Sequence, residues 1–536
     1  MLSNCSCARQ ASPARAGKRT HARLRHTAAR SFEQRGCARA ATCRGMATCK
    51  RAATCAAMGT PRLLQLTLAV AAAVAAAPAA APAMALSPPA LVGDAEMTAE
   101  LLSHLSAPDG IAVSAFVGVD GVPDARSLAL GSAVPAGSGW IVYVSTRWAI
   151  EDGAVVYAVL DTDADGVADE VRVIIDDLPV PNGIATRGGD LYVASDGGVV
   201  HVFRDADAQV LAGATQLLAP QELITDAFPP EGHHGWKYIV FSPDDNKNST
   251  LLVPVGAPCD TCDAPPAPNG VEFNTIYELD VDSGELRGPI ARGVRNTVGI
   301  AYHPDSGAVL FTENGSDALG DGLPDCELNV VPAADAASAA AGAGDGAAPY
   351  YGFPFCHTDG NPLGDPYARA AGSGELFPDP KLNPGGSVAD CSAPGDSMSE
   401  SGRPAVQALG PHTVPLGLTV YDSDVGGAHA LPAKYDRSAL VALKGSGART
   451  DLIGYSVVAV YLTEDGQTSL GQETLLEGCL GPVPDDVSPY TGVRCRPVDV
   501  LQLPDGSVLV SDGETGSVLR LSGGAFEAPP PSPAPL

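Results

Sequence analysis

The sequence predicts an all-β fold, a six-bladed β-propeller, and three observations lead to that expectation. One unit recurs six times: a polar or special residue opens a short apolar strand, a turn follows, and a second strand rich in Leu, Val and Tyr comes next. The units are spaced by roughly 50 to 60 residues, the length of a propeller blade. Turn signals GGD, PDD, PDSG and PDG fall between first and second strands, and 60 Gly with 46 Pro suit short strands rather than helices.

The units are read in order. ARSLALG from Ala125 starts the first, and PNGIATRGGDLYVASDGGVVHVF from Pro181 is the second, broken at GGD. HGWKYIVFSPDDNKNSTLLVPVG from His234 closes its first strand with SPDD, and RNTVGIAYHPDSGAVLFTENG from Arg295 turns at PDSG. PLGLTVYDSD from Pro415, with SALVALKGSG, is a lengthened fifth unit, and RPVDVLQLPDGSVLVSDGETGSVLRLS from Arg496 is the sixth. Between blades, AADAASAAAGAGDGAA from Ala333 reads as a loop, and the segment from Pro354 to Pro415 as long and irregular.

The expected organisation is an Arg/Ala-rich leader at 1–57, a signal peptide at 58–85, the propeller at 93–525 and a Pro-rich tail at 526–536. A basic start at Met58, an apolar run from Leu63 to Ala77 and the Ala83-Met84-Ala85 ending form an export signal. The run is shorter than the roughly 20 residues that span a bilayer, so no membrane span is expected in the mature chain. The expected location is secreted, with a thylakoid lumen as the alternative if the leader is a transit peptide rather than an unused upstream start.

Residues 1–62 hold thirteen of the 33 Lys/Arg and one of the 62 acids, leaving twenty basic and 61 acidic side chains, about −41, in the body. Such a surface excludes nucleic acid as a partner by bulk electrostatics. Any bound anion needs a local cluster of those twenty cations. The seven body cysteines suit disulfides in an exported chain: Cys259 with Cys262, Cys356 with Cys391, and Cys479 with Cys495, leaving Cys326 over. Asn248 and Asn314 head glycosylation sequons.

In a propeller the innermost strands line one channel, so the six strand heads converge at one mouth. His234 then faces Arg126, Asn182, Arg295, Asn296 and Arg496, which is a polar pocket for an anionic ligand. Asp161, Asp163, Asp165 and Asp169 in DTDADGVADE have the spacing of a calcium loop. Arg172 stands where such a loop needs a bidentate Glu, so an acidic turn without metal is the equal alternative.

The motifs ARSLAL, VYAVLDTDADGVADEV, PNGIA, HHGWKYIVFSPDD with VPVGAPC, GVRNTVG, FTENGSD with ELN, YYGFPFCH and RPVDVLQLPDGSVLVSD occur in this order. With them, from about Pro108 to Leu521, the chain resembles the soluble quinoprotein glucose/sorbosone (pyranose) dehydrogenases. The resemblance implies pyrroloquinoline quinone (PQQ) and Ca²⁺ as cofactors, and hydride transfer from a sugar or sugar-derived aldehyde. It implies His234 as general base, in preference to its neighbour His233, and Arg295 with Asn296 at the reacting carbonyl. Arg494 and Arg496 match carboxylate-binding arginines, Lys444 is a further candidate, and Gly315 and Ser316 match positions that hold calcium through backbone carbonyls. No haem-attachment CxxCH is present, so electrons leave to an external acceptor such as a cytochrome or a quinone. Val298 and Ser316 depart from the glucose branch and favour the sorbosone and pyranose branch. Two other readings are a gluconolactonase-like hydrolase with a bare divalent metal, which Asn182 would suit, and a non-catalytic binding propeller.

Overall fold

The computed structural model describes residues 91–524, apart from 135–138, 148–153, 177, 218–220, 231–232, 244–248, 343–347, 361–373, 392–401, 448 and 484–487. The leader, the signal segment, the tail and the Asn248 sequon lie outside the described residues.

Six four-stranded antiparallel sheets form the blades of a β-propeller. The first five begin with the inner strands Ala125–Ala133, Gly183–Arg187, Val240–Phe241, Ile300–Tyr302 and Pro415–Val420. The sixth begins with Pro497–Gln502, continues through Val508–Asp512 and Val518–Gly523, and takes its outermost strand, Ile111–Val117, from the other end of the domain. All six repeat units therefore start inner strands.

The middle strands are apolar on both faces because each sheet is packed between two others. Val156–Leu160 in the first blade and Ala439–Leu443 in the fifth are buried at every residue. The core accordingly divides into wedges between successive blades. One wedge joins Ile141, Val156 and Leu160 to Ile184, Leu191 and Val193, and another joins Leu440, Val457 and Leu475 to Val508, Val510 and Leu519. Near the axis, buried Asp499 braces three blades, accepting the Leu128 and Val500 amides at 2.8 and 2.9 Å and the Tyr238 hydroxyl at 3.3 Å. Gly417 is required there, because a Cβ would stand 1.9 Å from an Asp499 carboxylate oxygen.

Two expectations need correction. The long irregular segment does not lie between blades: it is inserted within the fourth, between its third strand, Asp325–Val331, and its fourth, Gln407–Pro411. The alanine-rich stretch ahead of it begins as a helix, Ala333–Ala340, because Ala336 and Ala339 bury one face against the wedge between blades three and four. Ala has the highest intrinsic helix propensity, which a loop reading of low complexity overlooks. The three expected disulfides are present and Cys326 is a buried free thiol. Asn314 is buried and donates its amide to the Asn296 and Pro415 carbonyls, which removes it as a glycan acceptor.

Candidate functional site

Residues of blades three to six reach the mouth from two kinds of place: the head of an inner strand, and the loop after a second strand, which runs back to the same end. Together they enclose a cavity of about 360 Å³ lined by His234, Arg295 and Asn296, by Lys444 and Arg496, and by Gly315 and Asp317 among others. The volume falls within the range of small-molecule sites.

His234 precedes the third blade's inner strand with a left-handed backbone, φ 52°. Such a conformation in a residue other than glycine is held by its surroundings. Gly256 allows the close approach, since a Cβ there would lie 2.6 Å from the His234 Cβ and 3.2 Å from the Arg295 carbonyl oxygen. The His234 Nδ1 lies 2.9 Å from the Ala257 carbonyl oxygen. A carbonyl accepts only, so Nδ1 holds the proton and Nε2 keeps its lone pair. Burial, then the Arg295 and His233 charges, bring the imidazole down to about 3, so it is neutral across the physiological range. His233 is exposed, with its ring edge-on to His234 at 4.2 Å between centroids.

Arg295 is only 2% exposed and is held on several sides. Its Nε donates to the Asp260 carbonyl oxygen at 2.7 Å, and Nη1 to the Asn314 carbonyl oxygen at 2.9 Å. Its Nη2 donates to the Asp260 and Asp317 carboxylates at 2.7 and 3.3 Å. A guanidinium has five N–H bonds, so one on Nη1 is left beside the cavity. Glu313 accepts the Arg295 amide at 2.8 Å from below. Asp260 was not anticipated from the sequence. Burial raises its carboxyl, but the Asp317 amide, Arg295 and Ser316 together outweigh that and hold it at about 2.

Lys444 follows the second strand of the fifth blade. Burial, then the Arg126, Arg496 and Arg147 charges, bring its amine down to about 8. Arg496 lines the cavity with its Nε on Glu514 at 2.9 Å and its guanidinium carbon 5.1 Å from the Tyr455 ring centre. Other expected residues stand elsewhere. Arg126 is buried, donates to Asn182 at 2.7 Å and stacks on Trp236 at 4.8 Å; it reaches the cavity only through its field on Lys444. Asn182 spends its amide on Arg126 and the Lys237 carbonyl, so it is not free to ligate a channel metal. Arg494 points away, to the Gly478 carbonyl at 3.3 Å, and packs on Gly481. Ser316 turns its hydroxyl to Asp260 at 2.9 Å and lines a smaller cavity behind Arg295. Val298 is buried and packs with Leu416 and Val498 in a small apolar cluster near the heads of the inner strands of blades four, five and six.

The acidic turn is at the opposite end of the propeller, joining the third and fourth strands of the first blade. Carboxylate oxygens of Asp161, Asp163 and Asp169 lie within 4.8 Å of one another, and Asp165 is outside that group. Asp161 accepts the Ala164 and Gly166 amides at 2.7 and 3.2 Å, and Asp169 accepts the Thr162 amide at 2.7 Å. The turn is thus closed by its own carboxylates, as short polar side chains commonly do.

Sequence reasoning also missed Asp317 and His412. His412 lines the cavity with φ 59° and Nε2 2.9 Å from the Gly320 carbonyl oxygen. It stands three residues ahead of the fifth inner strand, where the placement of His234 gave a usable signal.

Among solved structures, this fold is similar to a family AA12 carbohydrate-active enzyme of Trichoderma reesei, with 19% identity and a TM-score of 0.56, covering 78% of this chain and 98% of that one. It is also similar to the pyranose dehydrogenase PQQ domain of Coprinopsis cinerea, with 17% identity and a TM-score of 0.54, covering 78% and 97%. An uncharacterized protein of Borreliella burgdorferi is 25% identical over 288 residues, 54% of this chain; the match spans 60% of the length of that relative. A family model described as TrAA12-like matches residues 151–523, which takes in blades two to five entire, three strands of the sixth and two of the first, with every residue of the mouth cavity. On that match, the chain belongs to the TrAA12-like family.

Proposed function

We propose that this protein is a quinoprotein oxidoreductase that oxidises a sugar or sugar-derived aldehyde of the sorbosone or pyranose type and passes the electrons to a separate acceptor. The observation that supports it most is the pairing, across one cavity, of a neutral imidazole whose Nε2 keeps its lone pair and a buried lysine amine set beside Arg496. Among the described residues Lys444 has no partner for its amine, and the neighbouring arginines destabilise its charge. Such a site suits a polyanion, and PQQ is a tricarboxylate. The similar Coprinopsis domain is a holo form of a PQQ protein, and a calcium structure exists for the Trichoderma enzyme.

Lys444 and Arg496 would hold carboxylates, and Arg295 would set its remaining N–H and its charge beside the reacting carbonyl. For calcium, Asn296, Gly315 and Asp317 line the cavity and carry oxygen donors of the kind that suits a hard cation. When bound, PQQ supplies an orthoquinone that accepts a hydride. His234 Nε2 takes the proton of the sugar hydroxyl, and Ala257 keeps the ring in the required tautomer. Three disulfides, together with the reading of residues 58–85 as an export signal, favour a secreted protein.

Adding PQQ and calcium to the purified protein, then a panel of aldoses, ketoses and osones with a redox dye, tests the reading. Sugar-dependent dye reduction is expected. Lactone hydrolysis with a divalent metal would favour the hydrolase instead, and neither activity would leave a binding propeller.

A further inference from the structure

The loop after the third blade's second strand, Gly256 to Cys262, touches both residues assigned to the chemistry. Ala257 fixes His234, and its amide donates to the Arg295 carbonyl oxygen at 2.8 Å. Three residues on, Asp260 binds Arg295 through its carbonyl and its carboxylate. The same carboxylate accepts the Asp317 amide at 2.8 Å and the Ser316 hydroxyl at 2.9 Å, tying in the segment that follows the fourth blade's second strand. Thr261 completes the tie, its hydroxyl 2.7 Å from that of Ser316. Flanking Asp260 and Thr261, the Cys259–Cys262 disulfide closes the loop on itself.

We infer that Asp260 is a positioning residue for Arg295, and that the Cys259–Cys262 bond is the latch that keeps it in place. This rests on the oxidoreductase reading for its catalytic consequence, though not for the clamp itself. An arginine side chain has several rotatable bonds and loses much entropy when fixed in one pose. Two adjacent contacts from one residue fix the guanidinium plane only if that residue cannot move. A loop without regular hydrogen bonding does not ensure that, whereas a four-residue ring closed by a disulfide does.

The latch is also the accessible bond of the three. Cys259 and Cys262 are partly exposed, whereas Cys356, Cys391, Cys479 and Cys495 are buried. A dithiol reductant therefore reaches it first, giving two electrons and two protons to form two cysteine thiols while itself becoming a cyclic disulfide. The geometry thus couples the oxidation state of this CxxC pair to the orientation of Arg295.

The test follows Arg295 directly in cofactor-free protein, through its rate of modification by phenylglyoxal, read by peptide mass spectrometry with Arg172 as internal reference. Asp260→Asn, the double variant Cys259→Ser/Cys262→Ser, and wild type briefly reduced with dithiothreitol are compared with untreated wild type. Reduced wild type keeps its sequence, so a variant that fails to fold does not end the test. Arg295 should react at least about tenfold faster in the folded samples that lack the carboxylate or the latch, in the way that opening a local structure exposes a buried group. In PQQ-loaded enzyme kcat should fall by at least about tenfold with KM for sugar within about threefold, the pattern of a lost transition-state interaction. Unchanged Arg295 reactivity in both Asp260→Asn and reduced wild type overturns the inference. Faster modification without sugar oxidation by wild type under any condition upholds the clamp and overturns the dehydrogenase reading instead.

Discussion

Lys444 gives a prediction whose size follows from the site. An ordinary lysine amine titrates at 10.5, and this one is held at about 8 by burial and by the Arg126, Arg496 and Arg147 charges. At roughly 1.4 kcal/mol per pH unit, the gap corresponds to about 3 kcal/mol of stress on the charged form. A bound tricarboxylate offsets those arginines and gives the amine a partner, which returns its value toward 10.5. Below pH 8 the amine is charged with or without ligand, so affinity is flat. Above pH 8 the free protein has lost a proton that the complex holds, so affinity falls as pH rises, by up to tenfold per pH unit. Calorimetric titration of PQQ into calcium-loaded protein at about pH 7, 8 and 9, in two buffers of different ionisation heat, measures affinity and proton uptake together. Lys444→Met should weaken binding at pH 7 by about 1.5 to 3 kcal/mol, the range for a charged hydrogen bond, and remove the slope above pH 8. A wild-type profile that stays flat, or the same slope in Lys444→Met, refutes the placement of this amine against the ligand.

His234→Ala should abolish sugar oxidation while PQQ binding survives, and retained turnover would transfer the base to His233. In cofactor-free protein the His234 ring should titrate near pH 3, so a midpoint by NMR near the ordinary 6.5 would contradict its burial. Arg295→Ala should lower turnover more than affinity, whereas Arg496→Ala should weaken PQQ binding by about 1.5 to 3 kcal/mol; equal effects on both quantities would undo that division. Arg494→Ala should leave PQQ affinity unchanged, because its guanidinium is spent on Gly478, and a marked loss of affinity would return it to the pocket. Mass spectrometry of the mature chain should find a start near Leu86, three disulfides, and Cys326 open to alkylation only after unfolding.

The blades were legible because an inner strand has a local signature: a polar head at the mouth, apolar alternation, and a tight turn with Gly or Pro. Arg126, His234, Arg295 and Arg496 were found by that rule alone. It could not rank them, since burying Arg126 under Trp236 depends on contacts between blades one, two and three. Nor does the rule see the second supply line to the mouth. Asp260 and Asp317 sit in loops that reach the pocket only because the second strand returns to the same end, and nothing local distinguishes them from other acids in a body of about −41. Residues Gly315 and Lys444, on the same kind of loop, were reached through family resemblance. The insertion was misplaced because a strand of five residues, Gln407–Pro411, completes the fourth blade about 75 residues after the third strand ends, and periodicity does not survive such a gap.

The sixth blade, finally, gives the molecule a seam. Ile111 pairs with Gly523 and Val117 with Val518, so strands some 400 residues apart in the chain are joined by backbone hydrogen bonds and by the packing of Phe116 and Val117 against Leu509 and Val518. Ring closure must therefore wait until the last blade has been synthesised, and the entropy of bringing such distant segments together makes it a slow event. Until then the wedges on either side of the sixth blade, with Phe116 and Val117 on one side and Val508 and Leu519 on the other, present apolar surface to solvent. A chain sent across a membrane before folding would meet that requirement naturally, while a truncation that removed either partner of the seam would leave a ring that cannot close.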